Sequence, residues 1–383
     1  MKNIFFISII FILSFISRPS YAQKDSLGNI IPKKTLVIEA EIENGGILAS
    51  GELKEKTFEN AYYNGFNLKV GWKINRSNDQ YFKLYNNPIY GIGLYSSTFH
   101  NHIVGKPYAI YGFVQTPFGN INNEKWMFDY RIGLGLSGNF KPYNEEKNPL
   151  NIAIGTKKNV FIDFGIRAQR KITNKISAGL GFSFHHFSNG ALKLPNKGVN
   201  LIPLTASLTY YPNSLQTIHN DKSTIKSYPH QLMYHINLGA GVKQVQRDLD
   251  KKYFKSTLSS YVSRHISHKW RIGLGGELFY SASGHSEEIA EDKSGKLSSY
   301  LSGGPSFYLA HVLNQNLVLN GNIGYYIHNQ EFNGEVQKVF LRAGVRYYVY
   351  KDFNAGISIK AHKGKADYIE WTLGYTINRK YTP

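Results

Sequence analysis

The stretch Trp126-Met-Phe-Asp-Tyr-Arg-Ile-Gly-Leu-Gly-Leu-Ser137 decides the fold class. Trp126, Phe128, Tyr130, Ile132, Leu134 and Leu136 alternate with Met127, Asp129, Arg131, Gly133, Gly135 and Ser137, a period of two sustained over about twelve residues. Successive side chains of a strand point to opposite faces, so one face here is aliphatic and aromatic while the other carries charge and glycine. A strand of a soluble sandwich is usually about half this length.

The pattern recurs outward in both directions. Val160, Ile162, Phe164, Ile166 and Ala168 oppose Asp163, Gly165, Arg167 and Gln169; Trp270, Ile272, Leu274 and Leu278 oppose Lys269, Arg271, Gly273 and Glu277. Leu341, Ala343, Val345, Tyr347 and Val349 oppose Arg342, Gly344, Arg346 and Tyr348, and Ile369, Trp371, Leu373, Tyr375 and Ile377 oppose Glu370, Thr372, Gly374 and Thr376. One face built for lipid and one for a polar lumen is the signature of a transmembrane barrel. A large soluble β-sandwich is the competing fold.

Further strands are expected at 35–42, 63–73, 89–97, 107–116, 176–188, 200–211, 231–245, 254–265, 299–312, 316–328 and 352–361. The fold expected is therefore all-β: an antiparallel up-and-down barrel of the outer-membrane type with roughly 14 to 16 strands, an even number because both termini lie on one side. Tight connections at 171–175, 267–268 and 351–352 alternate with longer polar ones at 139–157, 189–199 and 282–297. Short turns face the periplasm and long ones the outside. The polar segment 213–230 is long yet falls on the periplasmic side, and it divides the chain into halves. Both halves close on similar hairpins, Ala178-Gly-Leu-Gly-Phe-Ser-Phe-His185 and Ala355-Gly-Ile-Ser-Ile-Lys-Ala-His362. One closed sheet is the preferred arrangement, because period-two hairpins look alike by necessity; two tandem eight-stranded barrels are the alternative. His362 has no serine two residues on and reads as a loop histidine.

Composition agrees with export to a membrane. Residues 1–22, with the apolar run Ile4 to Ile16 and the small residues of Ser20-Tyr21-Ala22, read as a secretory leader cleaved near Ala22. No later run approaches the roughly 20 apolar residues of a spanning helix. The chain holds no cysteine, which excludes disulfides and thiolate metal sites. Its charge of +19 falls to +17 once Lys2 and Arg18 leave with the leader. A basic exported chain suits phosphorylated lipid headgroups and not nucleic acid. Twenty-eight Tyr, 23 Phe and 36 Gly beside a mean hydropathy of −0.34 fit a wall that is half lipid-facing.

The chemistry concentrates in Phe182-Ser-Phe-His-His-Phe-Ser-Asn-Gly-Ala-Leu-Lys-Leu-Pro-Asn-Lys-Gly-Val-Asn200. His186 and Ser188 are two apart on a strand and share a face, a base beside a hydroxyl as a nucleophile pair requires. That face also carries Phe182 and Phe184, so the pair looks toward lipid. On the descending strand Ile202, Leu204, Ala206 and Leu208 form the apolar face and Thr205, Ser207 and Thr209 the lumen face; parity puts Asn200 with the former. His186, Ser188 and Asn200 are thus expected to meet on the outer wall near the extracellular rim, where an outer-leaflet ester is within reach. Lys193 and Lys197 could contact its phosphates. His185 points to the lumen. His265 and His268 flank a tight turn without carboxylates at ligand spacing, and no metal or cofactor is expected. The acidic loop of Glu287, Glu288, Glu291 and Asp292 reads as a solvated surface.

His186-Phe-Ser188-Asn189, then Pro195-Asn196-Lys-Gly198, with a polar residue fourteen after the histidine, resembles the motif of the lipid A 3-O-deacylases, the PagL-type acyloxyacyl hydrolases. The resemblance implies an outer-membrane barrel esterase that removes an acyl chain from lipid A, with Ser188 as nucleophile, His186 as general base, Asn200 in the third catalytic place, Asn196 at the oxyanion and Asn189 bracing the turn. Two departures stand out: the family has Glu where this chain has Asn200, and Ala-Gly where it has Gly190-Ala191. The resemblance covers about 60–212; further strands at about 230–378 extend beyond it, all within an outer-membrane barrel of 23–383. A homodimer is left open. The competing functions are a non-catalytic porin or structural barrel and, third, a soluble secreted lipase.

Overall fold

The computed structural model describes residues 23–24, 30–31, 34–74, 79–118, 125–213, 225–362 and 365–379. The leader expected at 1–22 lies outside them. Sixteen long strands close into two antiparallel barrels of eight. The first comprises β1 (Lys34–Ile47), β2 (Tyr63–Ile74), β3 (Ile89–Thr98), β4 (Gly105–Pro117), β5 (Trp126–Phe140), β6 (Asn159–Lys171), β7 (Ile176–Ser188) and β8 (Val199–Tyr210). The second comprises β9 (Met233–Gln244), β10 (Lys252–His265), β11 (Trp270–Ser281), β12 (Leu301–Val312), β13 (Leu317–Tyr325), β14 (Val339–Tyr350), β15 (Phe353–His362) and β16 (Lys365–Ile377). No helix among the described residues is long and apolar enough to cross a membrane.

The outer-membrane type of barrel expected from the sequence is present, in its tandem form. The preferred single closed sheet is corrected by two pairings. β8 closes on β1, with Leu204 opposite Asn44, and β9 closes on β16, with Leu238 opposite Leu373. The 213–230 segment joins the barrels, and 214–224 lie outside the described residues.

The two faces are as alternation demands. Leu180 and Leu204 are 70% and 60% exposed while Ser183 and Thr205 are 5%. Inside, an eight-stranded wall leaves room only for side chains. In the first barrel Lys69 bridges Glu39 and Glu41 at 2.7 Å each, Arg131 reaches Asp163 at 2.6 Å, and Arg167 pairs with Glu39 and Asp129. In the second, Arg342 joins Glu277 at 2.7 Å and also Glu370, while Lys360 lies between Glu335 and Asp367. Buried charge is tolerated only where it is paired.

Several local expectations change. β1 runs five residues past 42, because its outer half pairs with both β2 and β8. β13 ends at Tyr325, short of 328. Short helices that have no period-two trace occur at Glu52–Thr57 and Gln80–Leu84. His362 is the last residue of β15 and not a loop residue; it is buried and shares a 3.1 Å hydrogen bond with the Tyr326 hydroxyl.

The connections 141–158, 189–198, 245–251 and 282–300 gather at one rim, and the tight turns 172–175, 266–269, 313–316 and 351–352 at the other. The barrels stand side by side and touch at both rims. At the short-turn rim the Tyr85 hydroxyl donates to the Val312 carbonyl at 2.6 Å. At the other, Gln244 of β9 meets the 189–198 connection.

Candidate active site

β7 carries His186 and Ser188 to the long-connection rim, and the register sets Asn200 of β8 directly opposite His186. His186 Nδ1 and Asn200 Oδ1 are 2.6 Å apart. With Asn200 presenting its oxygen, Nδ1 holds the ring proton and Nε2 holds the lone pair. Both residues are half-buried. Gly198 has a φ of +76°, and a Cβ there would lie 3.1 Å from His186 Cε1, so glycine permits both the turn and the approach to the ring.

Ser188 is buried. Among the described contacts no hydrogen bond joins it to His186. Its Oγ instead accepts from Asn196 Nδ2 and from the Gly190 backbone N–H, each at 3.1 Å. Asn196 is held in turn by the Asn189 N–H, which donates to Asn196 Oδ1 at 3.1 Å, and Asn189 Nδ2 donates to the Lys193 carbonyl at 2.9 Å. Asn189 and Asn196 therefore meet, and Asn196 donates to the serine.

The two lysines differ. Lys193 is exposed on the connection. Lys197 forms a 2.6 Å ion pair with Glu52 of the short helix after β1. That ammonium, with Lys56, pulls the Glu52 carboxyl down to about 2. His185 faces inward, as parity requires, between Glu43 at 2.8 Å and Asp163 at 3.2 Å. Among the described residues no group of three or more His, Asp or Glu side chains could hold a metal ion.

Sequence reasoning missed three supports. The Gly190 N–H is a backbone donor and has no side-chain signature. Its φ of +60° suits glycine, and a Cβ there would collide with Ile369 of β16, which accounts sterically for glycine at 190; Ala191 beside it also holds a positive φ, +56°. Ala153 accepts from the Gly198 N–H at 3.0 Å. Gln244 anchors the connection from the second barrel: its N–H donates to the Ala191 carbonyl at 2.9 Å, and its Oε1 accepts from the Leu194 N–H at 2.7 Å.

The profile described as lipid A 3-O-deacylase (PagL) matches residues 66–209, and that of the acyloxyacyl hydrolase C-terminal domain matches 232–379. The chain belongs to the lipid A 3-O-deacylase family. The two matched segments coincide with most of the first barrel and with the whole of the second, so this deacylase-family chain carries a family segment in each. No curated protein matches it. Among solved structures, Neisserial surface protein A is similar over 47% of this chain and 97% of its own at 11% identity, with a TM-score of 0.29. A mutant porin of Rhodopseudomonas blastica covers 90% of this chain and 100% of its own at 6% identity and a TM-score of 0.18. CdiB from Acinetobacter baumannii covers 94% and 64% at 10% identity, also at 0.18. At such scores the function rests on the family and the site.

Proposed function

We propose that this lipid A deacylase of the outer membrane hydrolyses an acyl ester with Ser188 as nucleophile and His186 as general base, on the lipid-facing wall at the extracellular rim of the first barrel. The observation that carries the reading is the pairing of His186 Nδ1 with Asn200 Oδ1 at 2.6 Å, which directs the basic Nε2 away from the amide, while two N–H groups converge on Ser188 Oγ.

Rotation of the Ser188 side chain brings Oγ to His186 and releases the two donors to the substrate carbonyl oxygen. Oγ attacks the carbonyl carbon as its proton passes to Nε2. Gly190 N–H and Asn196 Nδ2 carry the oxyanion of the tetrahedral intermediate; donors of this kind are each worth about 10²–10³ in rate. Collapse expels the sugar hydroxyl oxygen, which takes the proton from Nε2 and leaves an acyl-Ser188 ester. Water then repeats the sequence, His186 taking its proton, and the fatty acid departs. Asn200 orients the imidazole but supplies no full charge to the imidazolium, so the enzyme is slower than one with a carboxylate there. Lys193 reaches a lipid phosphate, and Lys197 contributes through its pair with Glu52.

The large hydrophobic side chains around this face, Phe182 and Leu204 among them, favour an ester embedded in a leaflet over a soluble one. A porin is disfavoured by the packed lumens. The neighbour that completes the surroundings of the site is the chain's own second barrel, and the reading calls on no homodimer. Mass spectrometry of lipid A incubated with purified wild type and with Ser188→Ala tests the proposal: acyl loss with the first only is expected, and equal rates would refute it.

A further inference from the structure

Gln244 is the last residue of β9, on the second barrel, and is 1% exposed. Every polar group of its side chain is engaged. Oε1 accepts from the Leu194 N–H at 2.7 Å, and Nε2 donates to the carbonyls of Arg247 at 3.3 Å and Leu249 at 2.8 Å. Its backbone N–H adds the 2.9 Å bond to the Ala191 carbonyl. A buried amide is retained where all its partners are in place, and it then fixes their relative positions.

These bonds fall at particular places in the 189–198 connection. Ala191 follows Gly190, whose N–H reaches Ser188 Oγ, and Leu194 lies two residues before Asn196, whose Nδ2 reaches the same atom. Ile369 of β16 packs on Gly190 from the same side. The far end of the connection is tied instead to the first barrel, through Gly198 N–H to Ala153 and Lys197 to Glu52. The two donors aimed at Ser188 are thus set between anchors on different barrels.

We propose that Gln244 is a positioning residue for ester hydrolysis: the second barrel, through this amide and through Ile369 beside Gly190, holds Gly190 N–H and Asn196 Nδ2 on Ser188, and the site of the first barrel is incomplete without it. The inference rests on the functional reading above. It gives the second barrel a part in the reaction although it touches no reacting atom.

The test uses the full chain, with lipid A ester release and thermal melting measured together. Gln244→Leu keeps the volume and removes the acceptor for Leu194; it is expected to lower kcat by roughly tenfold with little change in KM, because donors displaced by a fraction of an ångström lose the oxyanion before they lose the substrate. Gln244→Glu keeps an oxygen for Leu194 but loses the donor to the Arg247 and Leu249 carbonyls, so it should recover only part of that kcat. Ile369→Ala, which loosens the packing on Gly190 and disturbs no buried polar group, should lower kcat by about threefold and serves if Gln244→Leu does not fold. The proposal is overturned if Gln244→Leu retains wild-type kcat, if Gln244→Glu loses as much as Gln244→Leu, or, where neither folds, if Ile369→Ala is unchanged. Ser188→Ala is run in parallel: should it keep ester release, the functional reading itself has failed, whatever Gln244 does.

Discussion

Strand β7 of the first barrel and strand β15 of the second hold the same place, seventh of eight, and run in the same direction from the short-turn rim. Ala178 to His185 and Ala355 to His362 read alike, and both segments end on a buried histidine turned into the lumen. His185 meets Glu43 and Asp163; His362 meets the Tyr326 hydroxyl. There the likeness stops. β15 ends at His362 and β16 begins at Lys365, whereas β7 runs three residues further to Ser188 and is followed by a ten-residue connection. Equal alternation makes equal walls. The candidate base and nucleophile lie in what one strand adds beyond the shared histidine.

The comparison breaks most visibly at the serine. Ser188→Ala or His186→Gln is expected to cut ester release by about 10³-fold or more, whereas His362→Gln in the second barrel should leave kcat within about twofold; mass spectrometry of lipid A reads both. Similar losses from His186→Gln and His362→Gln would place the chemistry elsewhere.

The lumens should respond alike. Arg131→Met takes one buried cation from Asp163 and Glu41, and Arg342→Met takes one from Glu277 and Glu370. Removing one partner of a buried pair costs about 3–5 kcal/mol, so denaturant unfolding should show comparable destabilisation of each variant. A first-barrel variant as stable as wild type would mean that the lumen charges do not hold that wall.

A smaller effect sharpens the site. Asn200→Leu removes the acceptor for His186 Nδ1 and should lower kcat roughly tenfold, while Asn200→Glu supplies charge to the imidazolium and should raise it above wild type. A fall with Asn200→Glu would show that the amide is tuned to this setting.

The smallest effect belongs to the rim. Glu52, held near 2 by Lys197 and Lys56, is ionised in the folded protein at any pH above the ordinary carboxylate value of about 4.3. Its pair with Lys197 is therefore complete above that range and is lost only as pH falls through about 2. The pair is exposed and weak. Activity of Glu52→Gln relative to wild type should stay within about twofold and flat from pH 5 to 8; a ratio that changed across that window would show that another group titrates with it.

Much of this was legible. Period-two alternation fixed which side chains of β5, β6, β11, β14 and β16 face out, while parity gave Asn200 only its face and the register set it opposite His186. The helices Glu52–Thr57 and Gln80–Leu84 were not legible, being too short to carry an amphipathic period. The Gly190 N–H and Gln244 were hidden for a different reason: one is a backbone group, and the other lies about fifty residues from the loop that it holds.

The sequence by itself determined the strand faces and the outer-membrane type of wall, because each follows from alternation within one strand. The tertiary structure decided that sixteen strands close as two barrels, that His362 lies inside, and that the second barrel grips the connection beside Ser188. Closure depends on which distant edges meet, β8 with β1 and β9 with β16, and an alternating pattern is the same whichever edge it pairs with.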